Sequence, residues 1–107
     1  MLREKLLKAI ELDEVNEIKE FSLKEIEDFI NQDHAVSMIP DHCYDSILVS
    51  DLFEPEVGMH LCGYIFFSRK YPLASGKYIH TSKIRHIAVP IDGLKLVSTM
   101  NTTYLVI

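Results

Sequence analysis

The chain has no tryptophan, and in 107 residues it carries only two cysteines, four glycines and four prolines. Each shortage excludes something. Cys43 and Cys62 are too few for a disulfide scaffold, and a chain of this length buries about two-thirds of the surface its unfolded form exposes, enough for one core without staples. The glycines, at positions 58, 63, 76 and 93, form no cluster, so no glycine-rich loop is available to cradle a phosphate. The longest apolar stretches, such as GYIFF, fall well short of the roughly 20 residues a membrane-spanning helix needs. MLREKLLKAIEL interleaves acids and bases with its leucines, unlike the uninterrupted apolar region of a secretory signal. With 48% hydrophobic and 25% charged residues, the composition is that of a folded globular chain. The expectation is one small cytoplasmic domain with reduced thiols, no membrane contact and no cofactor.

A further absence is local. From Val57 to Ile91 there is no acid, while Arg69, Lys70, Lys77, Lys83 and Arg85 are all present. The net charge of -5 comes wholly from the other end: residues 1 to 33 hold ten acids and five bases, and residues 34 to 107 hold six of each. Such an asymmetry speaks to partners and solubility rather than to fold.

What is there divides the chain in two. Leu2, Leu6, Leu7 and Ile10 recur at helical spacing and Val15, Ile18 and Phe21 continue it, which predicts a helix over about 2–20, with a break near Leu12-Asp13. In FSLKEIEDFI, Ser22 followed by Glu25 has the form of a capping box, with Phe21 placed to staple onto Ile26. The stretch predicts a second helix with an apolar stripe of Leu23, Ile26, Phe29 and Ile30, ending over residues 31–34. Beyond it, β-branched and aromatic residues rise. SILVSDL (46–52) reads as a strand. Met59–Ser68 reads as a central strand, because both of its alternating faces are largely apolar. YPLASG is a turn. KYIHTSKIRHIAV reads as one long strand whose apolar phase slips, which predicts a bulge near Thr81–Lys83. Asp92-Gly93 marks a hairpin, and LKLVST and TTYLVI flank a short turn at Met100-Asn101, so the last three strands form a meander. The fold class expected is α+β: two N-terminal helices packed on a twisted, mainly antiparallel sheet, or small open barrel, of about five strands, with residues 1–33 helical and acidic and residues 34–107 β-rich within a single domain.

Candidate chemistries are weighed against simpler roles. His42, Cys43, His60 and Cys62 supply zinc-type ligands within a short span, but the spacing fits no zinc knuckle, and a buried free cysteine ordinarily acts as a small hydrophobe. Cys43 with a histidine and Asp45 or Asp92 has the residue types of a nucleophilic site, yet no nucleophile signature surrounds it. The carboxylates on the helices lack the cleft that a catalytic acid needs. The expectation is therefore a non-enzyme. The bases at 69, 70, 77, 83 and 85 are interleaved with Tyr64, Phe66, Phe67, Tyr71 and Tyr78, the pairing of cations and stacking rings by which sheets hold single-stranded nucleic acid. Against this, the whole chain is acidic.

The acidic helical end has three readings: a solvated face, a docking surface for a basic protein, or a mimic of nucleic-acid phosphates placed in a protein's basic groove. Glu11, Glu14, Glu17, Glu20, Glu27 and Asp28 are spaced for one or two neighbouring helix stripes. Like charges at such spacing cost a few tenths of a kcal/mol per pair, which favours an external purpose. The run YIHTSKIRHI…LKLVSTMNTTYLV resembles strand pairs in small proteins of phages and mobile elements, over about a quarter of the chain. That resemblance implies a short inhibitor or regulator, anti-CRISPR-like proteins being one such class, and carries no site residues with it. The first functional expectation is thus a protein–protein interaction module whose acidic face meets a basic partner. The alternatives are a nucleic-acid-binding module using Arg69, Lys70, Lys77, Lys83 and Arg85, and a small metal protein or enzyme using its His and Cys residues. Oligomeric state is open.

Overall fold

The structure, a computed structural model, describes residues 6, 8, 20–50, 54–91 and 93–107. The chain divides into two compact units, Met1–Met38 and Ile39–Ile107. Its architecture is α+β: a helical N-terminal region, then a six-stranded mixed, mostly antiparallel sheet.

In the first unit, helix α1 spans Glu20–Gln32. Ile26 and Ile30 are buried, Leu23 and Phe29 half-buried, and Lys24, Glu25 and Asp28 exposed, so the expected stripe forms. The expected cap does not. Residues 20–22 are already helical, whereas an N-cap residue must leave helical geometry. Neither proline nor glycine precedes Ser22 to stop the helix, and Glu is a good helix former, so the capping signature at Ser22 is overridden. A cap does form where the sequence reading placed only a helix end. Asp33 is extended, and its Oδ1 accepts from the Val36 amide at 3.0 Å, opening the short helix α2, His34–Ser37. The helix expected over residues 2–20 lies outside the described residues except for Leu6, helical and buried, Lys8, helical and exposed, and Glu20, the first residue of α1.

The second unit holds β1 (Ser46–Ser50), β2 (His60–Phe66), β3 (Tyr78–Lys83), β4 (His86–Ile91), β5 (Leu94–Ser98) and β6 (Thr103–Val106), in the spatial order β3-β2-β1-β6-β5-β4. All pairs are antiparallel except β1–β6, which is parallel. The final three strands form the expected meander. The apolar last strand sits between β1 and β5, which explains why Tyr104–Ile107 is buried.

The expected bulge is present. Cys62 faces His80 but His60 faces Lys83, so β3 carries one residue more than β2 across this interval. The bulge turns the Thr81 carbonyl aside, where it accepts from His60 Nδ1 at 2.8 Å, and the Thr81 hydroxyl takes its place, accepting from the Leu61 amide at 3.0 Å. The Leu61 amide thus keeps a partner across the irregularity. A second slip, between Ala88 and Ile91, accommodates Pro90, which has no amide to donate.

KYIHTSKIRHIAV forms two strands, β3 and β4, where its pattern predicts one, and this makes six strands rather than five. Ile84 still pairs beside β2, donating to Met59 O and accepting from Gly58 N, each at 2.8 Å. Arg85 already pairs with β5, donating to Ser98 O at 2.8 Å. The chain therefore changes partner between adjacent residues while passing from one end of the strand order to the other. In a flat sheet the outer strands would stand about 24 Å apart at ~4.8 Å per strand. Lys83 to His86 can span only about 11 Å when fully extended. The sheet must curl until its ends meet, giving a small open barrel. Its interior holds Leu48, Leu61, Ile65, Ile84, Val97, Tyr104 and Val106.

Candidate functional site

On helix α1 Glu25 and Asp28 lie off the stripe of Ile26 and Ile30, and Glu27 flanks it. Asp28 is exposed and Glu27 half-buried, with Glu25 exposed beside them. Among the described residues neither Lys24 nor any of these three acids enters an ion pair. Glu20 is helical. Glu11, Glu14 and Glu17 lie outside the described residues.

The five bases between Val57 and Ile91 are all exposed. Arg69 is held by Asp41, through its carboxylate at 3.6 Å and its carbonyl. Lys70 donates to the Asn101 carbonyl and to Thr102 Oγ1, the latter at 3.1 Å. Lys77 and Lys83 bracket β3, about 20 Å apart along the strand. The aromatic residues between them divide. Phe66 is 1% exposed and belongs to the core. Tyr64 and Tyr78 pack edge to face at 5.1 Å, and Tyr78 packs on His80 at 5.4 Å.

The four His and Cys candidates are not brought together. Among the described residues no group of three or more His, Cys, Asp or Glu side chains is placed to hold a metal ion. His42 and Cys43 lie on the 3-10 turn Asp41–Cys43, and His60 is occupied by the Thr81 carbonyl. Cys62 instead meets His80, with Sγ 2.9 Å from Nδ1. Residues directly opposite in an antiparallel pair sit closer than residues two apart on one strand. The register Cys62↔His80 therefore decides the contact, and periodicity within one strand carries no trace of it. Asp45, a sequence candidate for polarising Cys43, is committed elsewhere. Its carboxylate accepts from the Thr103 amide at 3.0 Å, its carbonyl from Arg69 N at 3.0 Å, and its amide donates to Thr103 O at 2.8 Å.

A cavity of about 400 Å³ opens beside the barrel core. Ser46 and Tyr104, neighbours across the parallel pair, line one side, and Ile65, Ile79 and Thr81 another. Two loops close its rim. Phe67 adopts φ 53°, the left-handed region that bulky residues avoid, and so turns the chain at the end of β2. Ser68 Oγ then accepts from the Tyr71 amide at 3.0 Å, folding the loop back and bringing Lys70 and Tyr71 to the rim. From the opposite side comes the β5–β6 hairpin, closed by Thr99 N donating to Thr102 O at 2.9 Å and tied to β3 by Met100 N donating to Ser82 Oγ at 3.3 Å. The sequence reading missed this site, because its walls come from five separate segments and no local pattern marks it.

Burial pushes the Tyr104 phenol above its ordinary value, against the opposing pull of a hydrogen bond with Thr102. Burial, reinforced by the Asp41 carboxylate, does the same to Tyr44. Both groups therefore keep their protons in the fold after the unfolded chain has begun to lose them. The contribution of these two tyrosines should be constant below about 10, the ordinary tyrosine value, and stability should fall as pH rises through it, because the unfolded state then binds fewer protons. Urea midpoints at about pH 8 and 10.5 should show this drop, and Tyr104→Phe should shrink it. An equal drop in the variant would assign the effect to other groups.

No family model, curated protein or solved structure matches this chain.

Proposed function

We propose that this protein is a non-enzymatic binding module, a small regulator or inhibitor that engages a basic surface on a partner protein through the acidic helical segment. The face comprises Glu11, Glu14, Glu17, Glu20, Glu27 and Asp28. The observation that supports it is the surface of helix α1, where Glu25, Glu27 and Asp28 have no base paired to them among the described residues. Charge so placed draws an oppositely charged partner by long-range steering, and the bulk of the domain then blocks whatever that partner's basic surface would otherwise hold. The nucleic-acid reading has less support, since Arg69 is ion-paired, Phe66 lies in the core, and Tyr64 is engaged by Tyr78.

The test compares the wild-type chain with Glu27→Lys/Asp28→Lys as bait in parallel affinity purifications. The association rate of whatever only the wild type retains is then measured against salt. Between about 50 and 500 mM salt the rate should fall tenfold or more, because exposed charges are screened within a Debye length. The double variant should associate at least as slowly at low salt as the wild type does at high salt. A rate indifferent to both salt and charge reversal would sink the proposal.

A further inference from the structure

We propose that the barrel cavity is a binding site for a small aromatic anion, a planar ring carrying a carboxylate or phosphate, held by Lys70, Ser46 and Tyr104. The site belongs to the second unit alone and does not depend on the acidic helical face.

The cavity volume of about 400 Å³ falls within the range of small-molecule sites. Its polar groups are unevenly satisfied, and the imbalance points at a ligand. Thr81, Ser82, Thr99 and Thr102 all spend their hydroxyls on hydrogen bonds within the protein. Ser46 does not. It is 1% exposed, lines the cavity, and its hydroxyl makes no hydrogen bond among the described residues. A buried hydroxyl without a partner is a standing penalty in the free protein, and its retention calls for an occupant that satisfies it.

Charge sets the ligand's sign. No Asp or Glu lines the cavity, while the Lys70 ammonium stands at its rim with no carboxylate in ion-pair reach among the described residues. Lys70 uses two donors on Asn101 O and Thr102 Oγ1, leaving a third for an incoming oxyanion. Those same two bonds hold the ammonium in place, so little side-chain freedom remains to be lost on binding. Shape and polarity set the rest. Ile65, Ala74 and Ile79 provide an apolar wall, and Tyr71, 66% exposed at the rim, and Tyr104, buried within, provide rings against which a flat molecule packs. The Tyr104 phenol stays protonated at neutral pH, so it adds no negative charge to repel the anion.

The experiment is an amide-resolved NMR titration of the full chain with 1-naphthoate and, separately, with uridine 5′-monophosphate. Saturable shifts should appear at residues 46, 70–71, 79–82 and 101–104 with at least one probe, at concentrations up to about 10 mM. Saturation by naphthoate alone assigns an aryl carboxylate, by the nucleotide alone a nucleotide phosphate, and by both the shared chemistry. Uncharged 1-naphthamide, and Lys70→Ala tested with the best anion, should each bind roughly fivefold more weakly, the scale of one partly exposed charge contact. Ser46→Ala separates function from folding. Removing an unsatisfied hydroxyl should leave the melting temperature unchanged or higher while binding weakens several-fold. The proposal is overturned if neither probe saturates, if naphthamide binds as tightly as naphthoate, or if Lys70→Ala and Ser46→Ala bind as the wild type does.

Discussion

Gly63→Ala is expected to cost about 3 kcal/mol or more, the upper end of what overpacking a core does, and to leave the protein largely unfolded at physiological temperature. Gly63 lies in the interior of β2 opposite Ser50 on β1. A Cβ placed there would stand 2.3 Å from the Val49 carbonyl oxygen and 2.9 Å from Ser50 Cα. Both are backbone atoms of a fully buried strand, so neither can swing aside as a flexible side chain would. A glycine inside a strand marks such a close approach of another backbone. Gly93→Ala is the control. It has open space around it and only its φ of 88° to strain, so its cost should be near 1 kcal/mol. At several degrees per kcal/mol for a domain of this size, Gly63→Ala should melt more than about 12 °C below the wild type. If the two glycine variants lose similar stability, the approach of β1 to β2 described above is wrong.

Ile84→Ala should remove about 3 kcal/mol, within the range for truncating a fully buried isoleucine. Ile84 is 1% exposed and contacts the barrel core at the point where the chain leaves β2 and joins β5. Two losses combine there. The side chain fills the interior, and its packing holds the backbone where Ile84 N reaches Met59 O and Gly58 N reaches Ile84 O. Truncation should therefore destabilise the protein and also speed hydrogen exchange at the Ile84 and Gly58 amides beyond the change seen elsewhere. Ile87, half-buried against the same core, gives the comparison, with Ile87→Ala expected nearer 1 kcal/mol. Equal costs at the two positions, with no local acceleration of exchange, would show that Ile84 is not the closing element of the barrel.

Both residues show where pattern reading works and where it stops. The alternation of β2 is present in the fold, with Leu61, Gly63 and Ile65 buried on one face, yet nothing in the pattern marks Gly63 as required by a backbone atom of another strand. The phase slip between Ile79 and Ile84 predicts a bulge, and the bulge is there, at Thr81–Ser82. A change of strand partner alters phase in the same way, so the second event, between Ile84 and Arg85, was hidden behind the first. The same ambiguity affects Ser22. The spacing S-x-x-E is compatible with a helix start, but a start also needs a stop upstream, and Glu20-Phe21 supplies none.

The candidate site divides along the same line. The acids of helix α1 could be counted and placed on a face from spacing alone, because helical geometry repeats within a single segment. The pairing of Cys62 with His80 and the meeting of Ser46, Lys70 and Tyr104 around one cavity could not. Each joins residues from segments distant in the chain.

From its order of residues alone this chain determined its charge asymmetry, the buried stripe of helix α1, the alternation of β2 and the meander of the last three strands. These follow from backbone periods of 3.6 and 2 residues, which act over a few neighbours. Only the tertiary structure decided that β6 pairs in parallel with β1, that the sheet curls until β3 runs directly into β4, and that Ser46 and Lys70 line one cavity. Those outcomes depend on strand order and register, which are set by long-range pairing rather than by any local repeat.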